Sequence, residues 1–329
     1  MKTIAFFNNK GGVGKTTLVY HLAAMIAERG QTVLAVDLDP QANLTSMFLT
    51  EDELEPLWPD GEHPKTIFGA LRPIIRGLGD VQTPHIERIH ARLGLVVGDL
   101  ALSTFEDKLS DAWPRCHNRD ESAFRTMTAF YRGVRKAAQS IAADWVLIDV
   151  GPNLGATNRA ALIASEHVVI PVGPDLFSLQ GLRNLGPALR SWRASWTELV
   201  AKNPDPGIEV PLGRIDPLGY VVMQHGMRDS RPPKAYQRWI DRFPAEYRQS
   251  VLDSEPAPTV DAATDPYCLA MLKHYRSLMP MAMESRKPVF SLKPADGAIG
   301  AHGDAVRRSH SDFLGLARRI ADRAGAVLP

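Results

Sequence analysis

The sequence is constrained most strongly by a glycine-rich turn near its N-terminus, K-G-G-V-G-K-T-T at residues 10–17. The apolar run at 2–8 predicts a buried strand before it, and Leu18, Leu22 and Ile26 recur at helical spacing after it. In such a strand–turn–helix unit, backbone N–H groups and the positive end of the helix face the same point. The segment therefore predicts a phosphate-binding loop.

Buried strands alternate with helices along much of the chain, which predicts an α/β fold. Residues 121–142 and 178–196 have helical patterns. Strands are predicted at 2–8, 31–39, 94–99, 144–152, 167–174 and 218–224. Continuous apolar runs of this kind indicate a doubly wound, mostly parallel sheet with helices on both faces. We expect one domain over 1–329, with a surface insertion near 51–66 and an elaborated region at about 200–300.

The composition narrows the class of protein without naming a partner. The formal net charge is +1, so nucleic acid or a membrane would have to be met by a local basic patch. Cys116 and Cys268 form no C-x-x-C pair, which argues against a disulfide framework and a zinc knuckle. A reducing cytoplasm fits this cysteine usage best. No apolar stretch approaches the length that a membrane span needs.

The loop departs from the strict phosphate-loop pattern G-x-x-x-x-G-K-[ST], because Asn9 stands where the first glycine belongs. Glycines can still let backbone N–H groups close around phosphate oxygens. Lys15 is expected to neutralise the β- and γ-phosphates, and the Thr16 hydroxyl to bind Mg²⁺. The predicted phosphate-binding residues are Lys10, Gly11, Gly12, Val13, Gly14, Lys15, Thr16 and Thr17.

The segment K-G-G-V-G-K-T-T resembles the deviant Walker A loop of the ParA/MinD superfamily of P-loop ATPases. That resemblance implies ATP and Mg²⁺ as ligands and a homodimer that forms when ATP binds. It also implies a catalytic role for both lysines. Lys15 would serve its own nucleotide, whereas Lys10 would reach the phosphates bound by the other subunit.

The segment 36–48, V-D-L-D-P-Q-A-N-L-T-S-M-F, resembles the switch I motif of ParA proteins. On that mapping Asp39 orients the attacking water and Asp37 lies near the metal. Carboxylates at the carboxyl end of a parallel strand also face the ligand crevice on physical grounds. Alternatively, both aspartates only cap a turn before Pro40.

The segment 145–155, W-V-L-I-D-V-G-P-N-L-G, resembles the Walker B strand, in which Asp149 would hold Mg²⁺ through water. Gly151 replaces the first proline that usually follows in the family. Residues 168–185 follow the family's next strand and helix. The resemblance runs over 1–50 and 94–190 and is loose from 200 onward, where it is limited to fragments such as M-A-M-E-S-R-K-P-V-F-S-L.

The stretch 228–248 is rich in basic and aromatic residues and could grip DNA phosphates without reading bases. The candidate DNA-binding residues are Arg228, Arg231, Lys234, Arg238 and Arg242. A solvated helix face or a protein-binding surface explains the stretch equally well. The tail at 310–329 is a basic amphipathic helix, for which we favour packing on the sheet over lying on a membrane.

The sequence thus predicts a ParA-like ATPase that dimerises on ATP, binds nonspecific DNA and partitions DNA or another cargo. A ParB-like or other activating protein would stimulate its slow hydrolysis, and the protein would be cytoplasmic, on the nucleoid if it binds DNA. Three alternatives remain open. They are a regulatory or assembly ATPase acting through a protein partner, a MinD-like membrane positioner, and an ATP-dependent ligase.

Overall fold

Eight strands form one sheet in the part of the chain that the computed structural model describes, residues 1–225, 234–255, 260–275 and 277–329. In chain order they are β1 (Lys2–Phe6), β2 (Val33–Asp37), β3 (Glu87–His90), β4 (Leu93–Val96), β5 (Trp145–Asp149), β6 (His167–Val172), β7 (Asp216–His225) and β8 (Cys268–Lys273). Across the sheet the order is β3-β4-β2-β5-β1-β6-β7-β8, and only the β3–β4 pair is antiparallel. The predicted α/β fold with a mostly parallel sheet is confirmed.

Helices cover both faces of the sheet. They are α1 (Lys15–Glu28), α2 (Asn43–Phe48), α3 (Glu51–Leu54), α4 (Ile67–Arg76), α5 (Phe105–Cys116), α6 (Glu121–Met127), α7 (Ala129–Ser140), α8 (Ala156–Ile163), α9 (Leu176–Val200), α10 (Lys234–Ile240), α11 (Phe243–Glu246), α12 (Leu278–Ser285) and α13 (Ala301–Arg323). Alternate residues of the first strand enter opposite cores: Ile4 and Phe6 pack with α1 and α13, whereas Ala5 and Phe7 pack with α5 to α9. This two-sided burial is why the central strands are continuously apolar.

The six predicted strands are confirmed, and two edge strands were missed. The short strand β3 has the sequence E-R-I-H, whose burial alternates because it lies at the rim of the sheet. The predicted helix over 121–142 is two helices, α6 and α7. They separate at Thr128, whose hydroxyl donates to the carbonyl of Phe124 at 2.7 Å. That all 329 residues form one domain stays a prediction.

The acidic segment 51–66 is not only a surface loop, because it begins with helix α3. Thr50 and Glu53 form a capping box at the start of this helix, which explains why it forms in so short a segment. Two later side chains attach the segment to the end of β4. The Trp58 indole donates to the Gly98 carbonyl at 3.1 Å, and His63 Nδ1 lies 2.8 Å from the Asp99 carboxylate.

The basic amphipathic tail is helix α13, and its apolar face packs against α1 and the sheet. Phe313, Leu316 and Ile320 are all buried there. Its arginines are not all free in solvent, since Arg319 donates to the Leu269 carbonyl at 3.0 Å and Arg323 to the Leu218 carbonyl at 3.1 Å. Packing on the sheet, which we favoured for this tail, is what the structure has. Among the described residues, no helix combines the length and apolar character that crossing a bilayer requires.

Candidate functional site

The glycine-rich loop, Asp37 and Asp149 meet at the carboxyl ends of three neighbouring strands. β5 lies between β1 and β2, and Asp149 pairs in register with Phe6 on one side and Asp37 on the other. The glycine-rich loop follows β1 directly, and α1 begins at Lys15. The parallel sheet therefore brings the loop and both strand-end aspartates together at one edge, where open α/β sheets bind ligands.

The loop adopts a backbone that requires glycine at two positions. Gly12 has φ of 72° and Gly14, the N-cap of α1, has φ of 88°, both in the left-handed region that disfavours other residues. Asn8 anchors the start of the loop. Its amide donates to the Pro171 carbonyl of β6 at 2.6 Å, and its Oδ1 accepts from the Lys10 N–H at 2.9 Å. No sequence pattern identifies Asn8, because Pro171 is distant in the chain.

Lys15 is buried, with 7% of the residue exposed, and its ammonium donates to the Asn8 carbonyl at 3.3 Å. Burial lowers the pKa of Lys15, while the nearby carboxyls of Asp149 and Asp39 act in the opposite direction. The Asn8 carbonyl is the one hydrogen-bond acceptor described for an ammonium that has three N–H donors. An anionic ligand such as a phosphate would supply further acceptors.

Asp149 is fully buried, and neither of its carboxylate oxygens has a hydrogen-bond partner among the described residues. Burial and the neighbouring Asp37 raise the pKa of Asp149 well above its usual range, against a smaller favourable effect of the Thr16 hydroxyl. An unpartnered buried carboxylate beside a hydroxyl fits Mg²⁺, which takes oxygen ligands. The described residues hold no group of three or more His, Cys, Asp or Glu in metal-binding arrangement. Mg²⁺ usually takes several of its ligands from phosphates and water.

Asp37 lies next to Asp149 in the sheet, but its carboxylate already accepts hydrogen bonds from other groups of the protein. Oδ2 accepts from both the N–H and the hydroxyl of Thr45 at 2.8 Å, and Oδ1 accepts from the Asp39 N–H at 3.2 Å. Burial raises the pKa of Asp37 to about 7, although these hydrogen bonds favour its charged form. Thr45 in turn accepts from the Gly98 N–H at 2.8 Å. Asp37 therefore ties α2 to the sheet, and its placement near a metal remains a prediction.

Asp39 lines the open cleft beside the loop and is 6% exposed. Its Oδ1 accepts from the Gln41 N–H at 3.0 Å, as Asp37 accepts from the Asp39 N–H. Both aspartates therefore cap turns next to Pro40, whatever else they do. Gly151 lies close by. A Cβ at this position would be 3.3 Å from the Asp39 carboxylate, so a larger residue would crowd it.

The cleft has a volume of about 420 Å³ and is bounded by both halves of the chain. Its walls are the loop residues Gly11, Gly12 and Gly14 to Thr17, then Asp39, Gln41, Asn43, Ser46, Met47, Pro152 and Met283. Met283 belongs to α12, which sequence reasoning did not place in the site. Arg286 at the end of α12 donates to the Ser46 carbonyl at 2.6 Å and holds a positive φ of 48°. The C-terminal fragment M-A-M-E-S-R, whose resemblance to the family was loose, thus contacts α2.

Lys10 lies apart from this cleft. Its ammonium forms a salt bridge with Asp175, and it lies 6.0 Å from the centre of the Phe177 ring. Lys10 and Asp175 instead line a second cleft of about 190 Å³, together with Gly12, Val13, Gly173, Pro174, Met223 and Tyr236. The two lysines of the loop therefore serve different surfaces of the chain.

The N-terminus of α8, which follows the Walker B segment, is held by a residue that the sequence did not single out. Both carboxylate oxygens of Glu106 accept backbone N–H groups, from Ala156 at 2.6 Å and Thr157 at 2.7 Å. Asn158 adds bonds from its amide to the carbonyls of Gly151 and Asn153. The segment between β5 and α8 is thereby fixed at its C-terminal end.

The candidate DNA-binding residues are only partly within the described chain. Arg228 and Arg231 lie outside the described residues, and Lys234 is the first residue of α10. Arg238 and Arg242 are exposed and flank the Trp239 ring, with guanidinium carbons 4.6 Å and 5.5 Å from its centre. These two arginines are therefore available at the surface.

Comparisons with known proteins agree with this geometry. A family model described as AAA domain matches residues 1–199. A putative replication protein A of Rhizobium rhizogenes is 36% identical over 169 residues, which are 49% of this chain and 37% of that protein. The chromosome partitioning protein ParA of Myxococcus xanthus is 30% identical over 190 residues, 56% of either chain. The match thus covers 37% of the length of the replication protein and 56% of the length of the partitioning protein.

Solved structures share the fold across nearly the whole chain. Protein DIP2308 from Corynebacterium diphtheriae has a TM-score of 0.69 at 23% identity, covering 98% of both chains. An ATP complex of a McdA variant from Cyanothece has a TM-score of 0.60 at 15% identity, covering 99% of this chain and 97% of that one. Because the family model covers more than half of the sequence, the chain belongs to the AAA domain family.

Proposed function

We propose that this chain is an ATP-driven switch of the partition type. In the proposal two copies each bind ATP and Mg²⁺ and pair face to face, and the pair binds DNA without sequence preference. An activating partner protein stimulates slow hydrolysis to ADP and phosphate, and the pair separates. The protein would act in the cytoplasm, on the nucleoid, to position DNA or another cargo.

The buried, unpartnered carboxylate of Asp149 is the observation that carries the ATPase part. Lys15 and the loop N–H groups would hold the phosphates, and Thr16 and Asp149 would hold the metal. Bound Mg²⁺ would neutralise charge on the phosphate oxygens. Asp39 lines the same cleft, where a carboxylate can orient the attacking water.

The placement of Lys10 supports a role toward a second subunit. Its ammonium is absent from the cleft that Lys15 lines and borders another surface of the same loop. The Phe177 ring beside it is 72% exposed, and Leu176, the preceding residue in the chain, is 49% exposed. Exposed apolar side chains with polar groups around them are typical of a surface that a protein partner covers.

Two exposed arginines support the DNA part of the proposal. Arg238 and Arg242 project from the region of α10 and α11, and a planar guanidinium suits phosphate recognition. Tyr236 of the same helix lines the cleft that contains Lys10. A conformational change around Lys10 would therefore occur next to α10, the helix that carries Arg238.

Binding to a random-sequence DNA duplex with ATP or ADP tests the proposal. We expect the protein to bind DNA with ATP but not with ADP. This binding should weaken steeply as salt rises, and Lys10→Ala should abolish it. The exposed Lys65 provides a matched control, since Lys65→Ala removes the same charge outside the loop and should retain binding. If ATP drives dimerisation but neither nucleotide state binds DNA, the partition role is wrong and a protein partner takes its place.

A further inference from the structure

Asp175 makes two different contacts with its two carboxylate oxygens. Oδ1 caps helix α9 by accepting from the Ser178 N–H at 2.9 Å, while Oδ2 forms the salt bridge with Lys10. The Ser178 hydroxyl closes the turn by accepting from the Gly173 N–H at 2.9 Å. A substitution can therefore remove the salt bridge and keep the helix cap, although one side chain makes both contacts.

We propose that Asp175 is a positioning residue that keeps Lys10 on its own subunit until a second copy arrives. This inference rests on the proposed function, in which Lys10 acts on the nucleotide of the other subunit. The salt bridge would compete with that action, because one ammonium cannot occupy both places. Asp175 would therefore set how readily the ATP-bound chain dimerises.

The contact is weak enough to be exchanged. The Lys10 and Asp175 side chains are 31% and 37% exposed, and ion pairs in such positions contribute little because water screens them. Breaking the pair also leaves no orphan charge on the acidic side. The Asp175 carboxylate would still accept from Ser178 and lie at the positive end of α9.

The geometry restricts the movement to the Lys10 side chain. The Lys10 N–H is bonded to Asn8, and Asn8 is bonded to Pro171, so the backbone at this end of the loop is fixed to β6. The side chain borders the second cleft of about 190 Å³ and has open space beside it. Release of Lys10 thus requires rotation about its side-chain bonds and no refolding of the loop.

The first test measures Lys10 directly, without nucleotide or dimer. Asp175→Asn should keep the cap, since asparagine caps helices as well as aspartate does, while removing the charge. In the wild type the salt bridge holds the ammonium against Asp175 and limits its access to an acylating reagent. Acetylation of Lys10 by N-hydroxysuccinimide acetate, followed by peptide mass spectrometry, should therefore be about two to five times faster in Asp175→Asn, from the usual strength of an exposed pair.

Asp120→Asn is the matched control, because Asp120 also caps a helix and pairs with an arginine, Arg115, far from the loop in sequence. Lys10 acetylation should be unchanged in it. Equal rates in wild type and Asp175→Asn would overturn the inference. Asp175→Ser, which also retains a capping side chain, repeats the measurement if the asparagine variant folds poorly.

The second test measures dimerisation by sedimentation with a slowly hydrolysed ATP analogue. We expect Asp175→Asn to dimerise about two to five times more tightly than wild type, and the gain to vanish in the Lys10→Ala background. A gain that persists in that background means that Asp175 does not act through Lys10, which overturns the inference. A wild type that stays monomeric overturns the proposed function instead, and the acetylation result then separates the two failures.

Discussion

Lys10 and Lys15 belong to one loop, yet their surroundings differ in burial and in partners. Lys15 is 7% exposed and lies near the buried Asp39 and Asp149. The side chain of Lys10 is 31% exposed and pairs with an equally accessible Asp175. We call these the buried side and the rim of the site, respectively. Charges on the buried side are costly until a ligand compensates them, whereas contacts at the rim cost little to exchange.

The difference suggests a division of work. On the buried side, the protein holds charged groups in place before any nucleotide arrives, which is the arrangement that electrostatic catalysis requires. At the rim, weak and exposed contacts would suit the proposed contact between two copies, which would form and separate in each cycle. Substitutions on the buried side should therefore change stability and turnover strongly, and those at the rim should change association mildly.

Asp149→Asn should give the largest effect and opposite signs for stability and activity. Removing an uncompensated buried charge should stabilise the nucleotide-free chain by about 1–3 kcal/mol, while Mg²⁺-dependent ATP turnover should fall roughly 100-fold. Thermal unfolding and a phosphate-release assay measure the two. Asp99→Asn is the control, since the Asp99 carboxylate is buried but bonded to Thr66 and Ala101 and its loss should destabilise. A destabilised Asp149→Asn would contradict the comparison.

His21 should make the buried side sensitive to acid. It is fully buried, with Nδ1 2.7 Å from the Thr17 carbonyl and Nε2 accepting from the Val289 N–H at 3.1 Å. Burial lowers the pKa of His21 to about 4, although the bond to Thr17 favours the charged ring. The unfolded chain binds the proton near pH 6.5, so its contribution to the free energy of unfolding falls as pH drops from about 6.5 to about 4.

Between pH 7 and pH 5 this loss should be about 2 kcal/mol, read from urea unfolding curves. The variant His21→Gln should lose that part of the pH dependence, whereas substitution of the exposed His85 by glutamine should not. Equal pH dependence in wild type and His21→Gln would show that the link between α1 and the C-terminal elements does not titrate.

Glu106→Ala should have an intermediate effect, because Glu106 supports the buried side from a partly exposed position. Two backbone N–H groups at the start of α8 would lose their acceptor, at a cost of about 1–2 kcal/mol to folding. Urea denaturation checks this. The exposed pair of Glu121 with Arg125 offers a comparison, since Glu121→Ala should change stability by less than about 0.5 kcal/mol.

Among these substitutions, Arg238→Ala should have the smallest effect on stability and function, as expected for an exposed side chain. The free energy of unfolding should stay nearly unchanged, because the guanidinium is exposed and contacts only the Trp239 ring among the interactions described for it. DNA affinity in the ATP state should fall about threefold, with the slope of log affinity against log salt reduced by about 1. Fluorescence anisotropy across a salt series measures both. A large loss of stability would contradict this expectation, because an exposed side chain should contribute little to folding.

The parts of the candidate site that are contiguous in the chain could be recognised from the sequence, while the roles assigned to their residues stay predictions. The loop at 10–17 and the strand ending at Asp149 are local patterns, in which spacing alone implies geometry. Asn8, Glu106 and Arg286 could not be predicted, because their partners lie 163, 50 and 240 residues away. Their side chains gain meaning only when the sheet brings distant segments together.

The same reasoning explains the errors in the fold. The edge strand β3 carries charged residues that no apolar run reveals, and it forms because β4 offers a free edge. The break at Thr128 depends on a hydroxyl that bonds within the chain, which periodicity does not report. Central strands were predicted well because burial on both faces leaves a continuous apolar signal.

The two oxygens of Asp175 also bear on how this chain can evolve. Asparagine, serine or threonine at position 175 would preserve the start of α9, so drift there is nearly silent for folding. The same drift would remove the charge opposite Lys10. If Asp175 has the role proposed for it, natural selection could adjust how readily two copies pair by single substitutions at this position that preserve the fold.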